Sequence, residues 1–134
     1  MSSLRFPPLA LALAGALIAA GPGHAQPPKR SASHDVCFRP GDAYSWASVG
    51  DRIVNLKVNL RDYYQLTLQG ICPNIDWNQA IAIRNRSGGG WICSPLDAEI
   101  ISPSPAGPPQ HCEVAAIRKL TPEEVKALGR NEKP

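Results

Sequence analysis

The 134-residue chain has no C-x-x-C pair, few histidines, no uninterrupted apolar run of membrane-spanning length and no dominant charge sign. Each absence removes a class of function. Without closely spaced cysteines, neither a thioredoxin-type redox pair nor a zinc knuckle is supported. The imidazoles are His24, His34 and His111, too few for a histidine-rich metal centre and a narrow choice for the base of a nucleophilic triad. No cofactor motif is present. A formal net charge of +3, scattered along the chain, argues for neither nucleic acid nor an anionic membrane surface, since phosphate binding usually shows as a dense cationic patch. Arg84 with Arg86 is a local basic pair, most simply a solvated loop edge.

What is present begins with an export signal. Arg5 precedes an uncharged Leu/Ala stretch from Leu9 to Ala20, which ends at Gly21-Pro22-Gly23. As a helix this stretch rises ~18 Å, short of a hydrocarbon core of roughly 30 Å, so it reads as a signal peptide and not as an anchor. Gly23 and Ala25 flank His24 in the A-x-A manner, which predicts cleavage near Ala25 and a periplasmic or secreted mature protein. The segments are then 1–25 signal peptide, 26–36 a disordered Pro/Lys/Ser leader, 37–129 a single β domain and 130–134 a tail.

Four cysteines, Cys37, Cys72, Cys93 and Cys112, in an exported chain read as two structural disulfides. Three pairings are possible. With Cys37 opening the folded part, Cys112 opening its last strand and the other two bracketing the middle, a nested pattern is expected: Cys37 with Cys112 and Cys72 with Cys93.

The strand signals are short and alternating. Val54, Leu56, Val58 and Leu60 alternate with Asn55, Lys57 and Asn59, and after Arg61-Asp62 the residues Tyr64, Leu66 and Leu68 alternate with Tyr63, Gln65 and Thr67, predicting an antiparallel hairpin. Further strands are expected at Tyr44–Trp46, at Ala80–Arg84, at Trp91–Cys93 running on past Pro95 into Ala98–Ile101, and at His111–Lys119 with Cys112, Val114 and Ala116 on one side. Thr121-Pro122-Glu123-Glu124 is a capping box with proline at the first helical position, and Leu120 with Val125 forms a hydrophobic staple, so a short helix closes the domain. Five or six strands and one helix predict a mainly β fold, a small antiparallel barrel or strongly curled sheet; a two-layer α+β packing on an open sheet is the alternative.

The candidate sites are sparse. Ser87-Gly88-Gly89-Gly90 lacks the following helix that a phosphate loop needs and reads as a hairpin connection. Asn85-Arg86-Ser87 is a formal glycosylation sequon. Asp97 with Glu99, or Glu99 with Glu113, pair carboxylates, and a nuclease built on Glu99, His111 and an arginine is conceivable, yet no serine sits in a nucleophile context and no catalytic, cofactor or metal residue is assigned. Tyr63 and Trp91 are the candidates for a ligand-stacking surface, whereas Trp46 and Tyr64 read as core.

Cys37, Trp46, Asp51-Arg52, the Tyr64-x-Leu66-x-Leu68 strand running to Cys72-Pro73, the glycine turn before Ile92-Cys93, Asp97, Cys112 and the closing Leu120-Thr121-Pro122-Glu123-Glu124 together resemble a family of small exported bacterial proteins known only as a domain of unknown function. The resemblance covers about residues 37–128. It implies a compact secreted domain with two disulfides and transfers no activity. The expectation is a monomeric, non-enzymatic module without a stable membrane anchor that binds a protein or cell-envelope component. The alternatives are a small secreted hydrolase or nuclease, or an inhibitor presenting the Ser102–Gln110 loop to a protease.

Overall fold

Strand length here is set by where the backbone leaves the extended region. β2 (Ile53–Val58) stops because Asn59 takes φ 55°, a left-handed conformation that asparagine tolerates, and turns the chain back into β3 (Asp62–Leu68). Leu60, expected to continue the alternation, is therefore carried onto the tip of the turn and is 83% exposed. At the other end of β2, Gly50 with φ 61° makes the tight connection from β1 (Ala43–Val49).

The computed structural model describes residues 36–134. The segment expected to be a signal peptide, and nearly all of the expected leader, lie outside the described residues. Six antiparallel strands, completed by β4 (Ala82–Asn85), β5 (Ala98–Ser102) and β6 (Gln110–Lys119), form one sheet in the order β1-β2-β3-β6-β5-β4, curled into a half-barrel. One face carries the core: Val54, Leu56 and Val58, then Tyr64, Leu66 and Leu68, then Val114, Ala98 and Ile100. Phe38, Cys72, Ile75 and Ile92 reach this core from outside the six strands and plug it. The Phe38 and Tyr64 rings meet at 5.0 Å between centroids.

Two sequence expectations are corrected along β5 and β6. Trp91–Cys93 is not the first half of β5. Ile92 instead exchanges two backbone hydrogen bonds with Phe38, at 2.8 and 3.0 Å, tying the segment before β1 to the segment after β4. In β6 the pairing with β3 skips from Val114 opposite Leu68 to Ala116 opposite Thr67. This bulge reverses the alternation, so Ala116 turns outward and Ile117 faces the core.

The disulfides join Cys37 to Cys93 and Cys72 to Cys112. The nested pairing is thus overturned in favour of a crossed one. The physical reason is the bridge just described: Phe38 and Ile92 sit side by side, so their neighbours Cys37 and Cys93 come within 4.2 Å at Cα. Cys72, following β3, lies against the start of β6, the strand paired with it.

The opposite face of the sheet is partly covered by α1 (Pro122–Ala127) and the tail. Thr121 accepts from the Glu124 backbone N–H while the Glu124 carboxylate accepts from the Thr121 N–H at 2.8 Å, the reciprocal cap expected from the sequence. Leu120 and Val125 are both buried. Asn55, which alternation assigns to the solvent side, is fully buried: its Nδ2 donates to the Glu132 carbonyl at 2.8 Å and its Oδ1 accepts from Gln65.

Candidate functional site

The topology brings together the charged residues that the sequence left scattered. Arg84 on β4 stands directly opposite Glu99 on β5, and Glu99 directly opposite Glu113 on β6. These positions share the outer face of the sheet, since each adjacent position (Ile83, Ala98, Ile100, Cys112, Val114) packs into the core. His111, two residues before Glu113, projects to the same face. Its Nδ1 lies 3.3 Å from Glu99 Oε1, while Arg84 Nη2 meets Oε2. Arg86 donates from Nη1 to Glu113 at 2.8 Å.

Glu99 is 5% exposed and is the charged member of the buried set among the described residues. Its Oε2 has no well-aligned hydrogen bond, so Arg84 serves it as a charge partner and not as a directed donor. The His111 contact is a proximity to the carboxylate, and the imidazole itself is about half exposed. His111 and Glu113 also line a cavity of about 340 Å³ with Gln69, Gly70 and Ile71. Yet both arginines are matched by carboxylates, which makes this a nearly neutral charge ladder across three strands. No group of three histidine, cysteine, aspartate or glutamate side chains among the described residues converges to hold a metal ion.

The aromatic candidates Tyr63 and Trp91 fall in separate clusters. Lys57 Nζ lies 5.5 Å from the Tyr63 ring centroid and 5.3 Å from that of Tyr44, and hydrogen bonding to Tyr44, then to Tyr63, raises the Lys57 pKa. Trp91 lies under the Arg39 guanidinium at 5.4 Å. Asn85 of the sequon is engaged in its own turn: Oδ1 accepts from the Ser87 N–H and hydroxyl, and Nδ2 donates to the Trp91 carbonyl.

A feature that the sequence did not single out is the loop between β3 and β4. Cys72 and Ile75 are fully buried, anchoring it in the core. Asn78 Nδ2 donates to Ser102 Oγ and to the Pro103 carbonyl, and Gln110 Nε2 donates to the Pro73 carbonyl at 3.3 Å, so this loop and the proline-rich β5–β6 loop are tied together. Trp77, between these ties, is 81% exposed, and Ile71, just before Cys72, is 61% exposed. The signal available in the sequence was Trp77 in a polar, proline-containing segment next to a cysteine.

A protein-family model, described as a family of unknown function (DUF6491), matches residues 4–133. The chain belongs to this family. Membership in DUF6491 assigns no chemistry to the chain. No curated protein and no solved structure matches the chain significantly. The two disulfides are consistent with an oxidising environment, and no helix among the described residues is long and apolar enough to cross a membrane.

Proposed function

We propose that this DUF6491 protein is an exported, monomeric, non-enzymatic module that binds a protein partner through the joined β3–β4 and β5–β6 loops. The observation that carries this reading is Trp77, 81% exposed on a loop fixed by a disulfide, a buried isoleucine and three hydrogen bonds. An exposed tryptophan on a floppy loop would lose much of its binding energy to ordering. On a loop already held in place that cost is largely met at folding, and tryptophan is the side chain most enriched among interface hot spots. Pro105, Pro108 and Pro109 in the neighbouring loop stiffen the same end. The export signal and the disulfides support an extracytoplasmic setting.

The test is photo-crosslinking from position 79 in the native extracytoplasmic fraction. A specific adduct should form with the unaltered loop, vanish in Trp77→Ala and persist in Leu96→Ser, which alters an exposed leucine elsewhere. Identical adducts with and without Trp77 would overturn the reading.

A second reading, a small hydrolase, is favoured by the convergence of His111, Glu99 and Arg84. In it Glu99 positions His111 and the imidazole acts as base on a substrate in the adjoining cavity. A hydrolase screen separates the two: activity lost in His111→Gln but kept in Trp77→Ala supports this reading, and no activity in the unaltered protein removes it.

A further inference from the structure

A curled sheet that stops at a half-barrel leaves two edge strands, here β1 and β4. The two disulfides stand differently toward them. Cys72–Cys112 links the loop after β3 to the start of β6, and those two strands are already hydrogen-bonded neighbours. Cys37–Cys93 instead links the segment leading into β1 to the segment following β4, beside the two backbone hydrogen bonds that Phe38 and Ile92 exchange. It therefore ties the flank of one sheet edge to the flank of the other.

The bonds also differ in depth. Cys72 is 0% exposed and Cys112 8%, so although Cys112 adjoins the cavity beside His111, its partner is sealed in the core. Cys93 is exposed and Cys37 half-buried. Alternation about the Phe38–Ile92 bridge explains this: with Phe38 and Ile92 turned into the core, Cys37, Arg39, Trp91 and Cys93 take the other side. Arg39, 5.4 Å above the Trp91 ring, puts a positive charge on that side, which favours the thiolates through which thiol exchange passes.

We infer that Cys37–Cys93 is a thiol-exchange site, open to a dithiol reductant while Cys72–Cys112 stays intact, and that its reduction unlatches the Phe38 plug. A thiolate of the dithiol attacks Cys93 Sγ; the bond between the two protein sulfurs breaks, and Cys37 leaves as a thiolate that takes up a proton. The second thiol of the reagent then closes on the first and releases Cys93. The protein gains two electrons and two protons, and the dithiol becomes a disulfide. Phe38 is then held by noncovalent contacts alone, the two hydrogen bonds to Ile92 and the packing that includes Tyr64. The front segment is free to leave the core and uncover its apolar interior, while the six-stranded sheet and the second disulfide stay in place. None of this rests on the Trp77 reading, which uses other residues.

Graded dithiothreitol on the natively folded protein, followed by iodoacetamide and peptide mapping, tests the order of reduction. Cys37 and Cys93 should be alkylated at reductant concentrations at least about tenfold below those that open Cys72–Cys112. Hydrogen exchange reads the unlatching at the Phe38 and Ile92 amides, which should exchange at least about tenfold faster in the singly reduced protein while the β2–β3 amides keep their protection. Cys37→Ser/Cys93→Ser should show the same faster exchange without reductant; if that variant does not fold, the singly reduced natural chain supplies the comparison alone. Reduction of both bonds together, earlier loss of Cys72–Cys112, unchanged exchange at Phe38 and Ile92, or a loss of protection that spreads to β2–β3 would each overturn the inference.

Discussion

Asn55 Nδ2 donates to the carbonyl oxygen of Glu132 at 2.8 Å, joining the second strand to the chain end 77 residues later. The contact opens a relay. Gln65 donates to Asn55, Arg118 donates to Gln65 at 2.9 Å and also to Glu124, and Glu124 accepts from the Thr121 N–H. A polar chain therefore runs from the tail across β2, β3 and β6 to the helix start, and it explains how a fully buried amide is tolerated on the outer face.

Asn55→Ala should lower stability by about 1–3 kcal/mol, because it removes a buried donor and leaves both the Glu132 carbonyl and Gln65 without their partner. Deleting residues 130–134 should cost a similar amount. Since the two changes break one interaction, the combined variant in denaturant unfolding should fall well short of their sum. Full additivity would show that the tail contact contributes nothing.

The capping box gives a pH-dependent prediction. The Thr121 backbone N–H, then Arg118, holds the Glu124 pKa below its ordinary value. A depressed folded-state pKa contributes stability above the unfolded value that disappears as pH falls through the folded one. The melting-temperature gap between the unaltered protein and Glu124→Gln should therefore be open at neutral pH and close in the acid range below the ordinary glutamate pKa. Thr121→Ala should cost about 1 kcal/mol at neutral pH.

The Glu99 ladder predicts an asymmetry. Arg84→Met leaves a buried carboxylate with His111 alone, whereas Arg84→Met/Glu99→Leu removes the charge altogether. The single variant should be the less stable of the two, since breaking a buried pair costs more than replacing it with apolar side chains. Unfolding midpoints in urea decide it, and a double variant less stable than the single would contradict the ladder as described.

Much of this fold was legible because its hydrophobic periodicity is local. The alternation from Val54 to Val58 and from Tyr64 to Leu68 sufficed to predict the central hairpin, and Thr121-Pro122-Glu123-Glu124 marked the helix start to the residue. What failed was long-range or depended on one backbone torsion. The left-handed Asn59, the bulge that turns Ala116 outward and the tail over Asn55 leave no periodic trace. The candidate site shows the same division: Glu99, His111 and an arginine could be named from their residue types, but only the strand register made them neighbours.

The disulfide pairing can be checked directly. Digestion without reduction should yield one peptide pair linking Cys37 to Cys93 and another linking Cys72 to Cys112; a Cys37–Cys112 pair would refute the crossed arrangement. In the chain-entropy model each loop, 56 and 40 residues apart in sequence, contributes about 4 kcal/mol. Cys72→Ala/Cys112→Ala should therefore lose a large share of a domain stability that is typically about 5–15 kcal/mol.

The crossing has a further effect on a chain exposed to proteases. Suppose the backbone is nicked twice, once between Cys37 and Cys72 and once in the proline-rich loop between Cys93 and Cys112. With the bonds nested, the middle piece carrying Cys72 and Cys93 would have no covalent link to the rest and could diffuse away. With the bonds crossed, that piece is fastened to the front by Cys93 and to the back by Cys112, so a doubly cut molecule stays in one covalent unit.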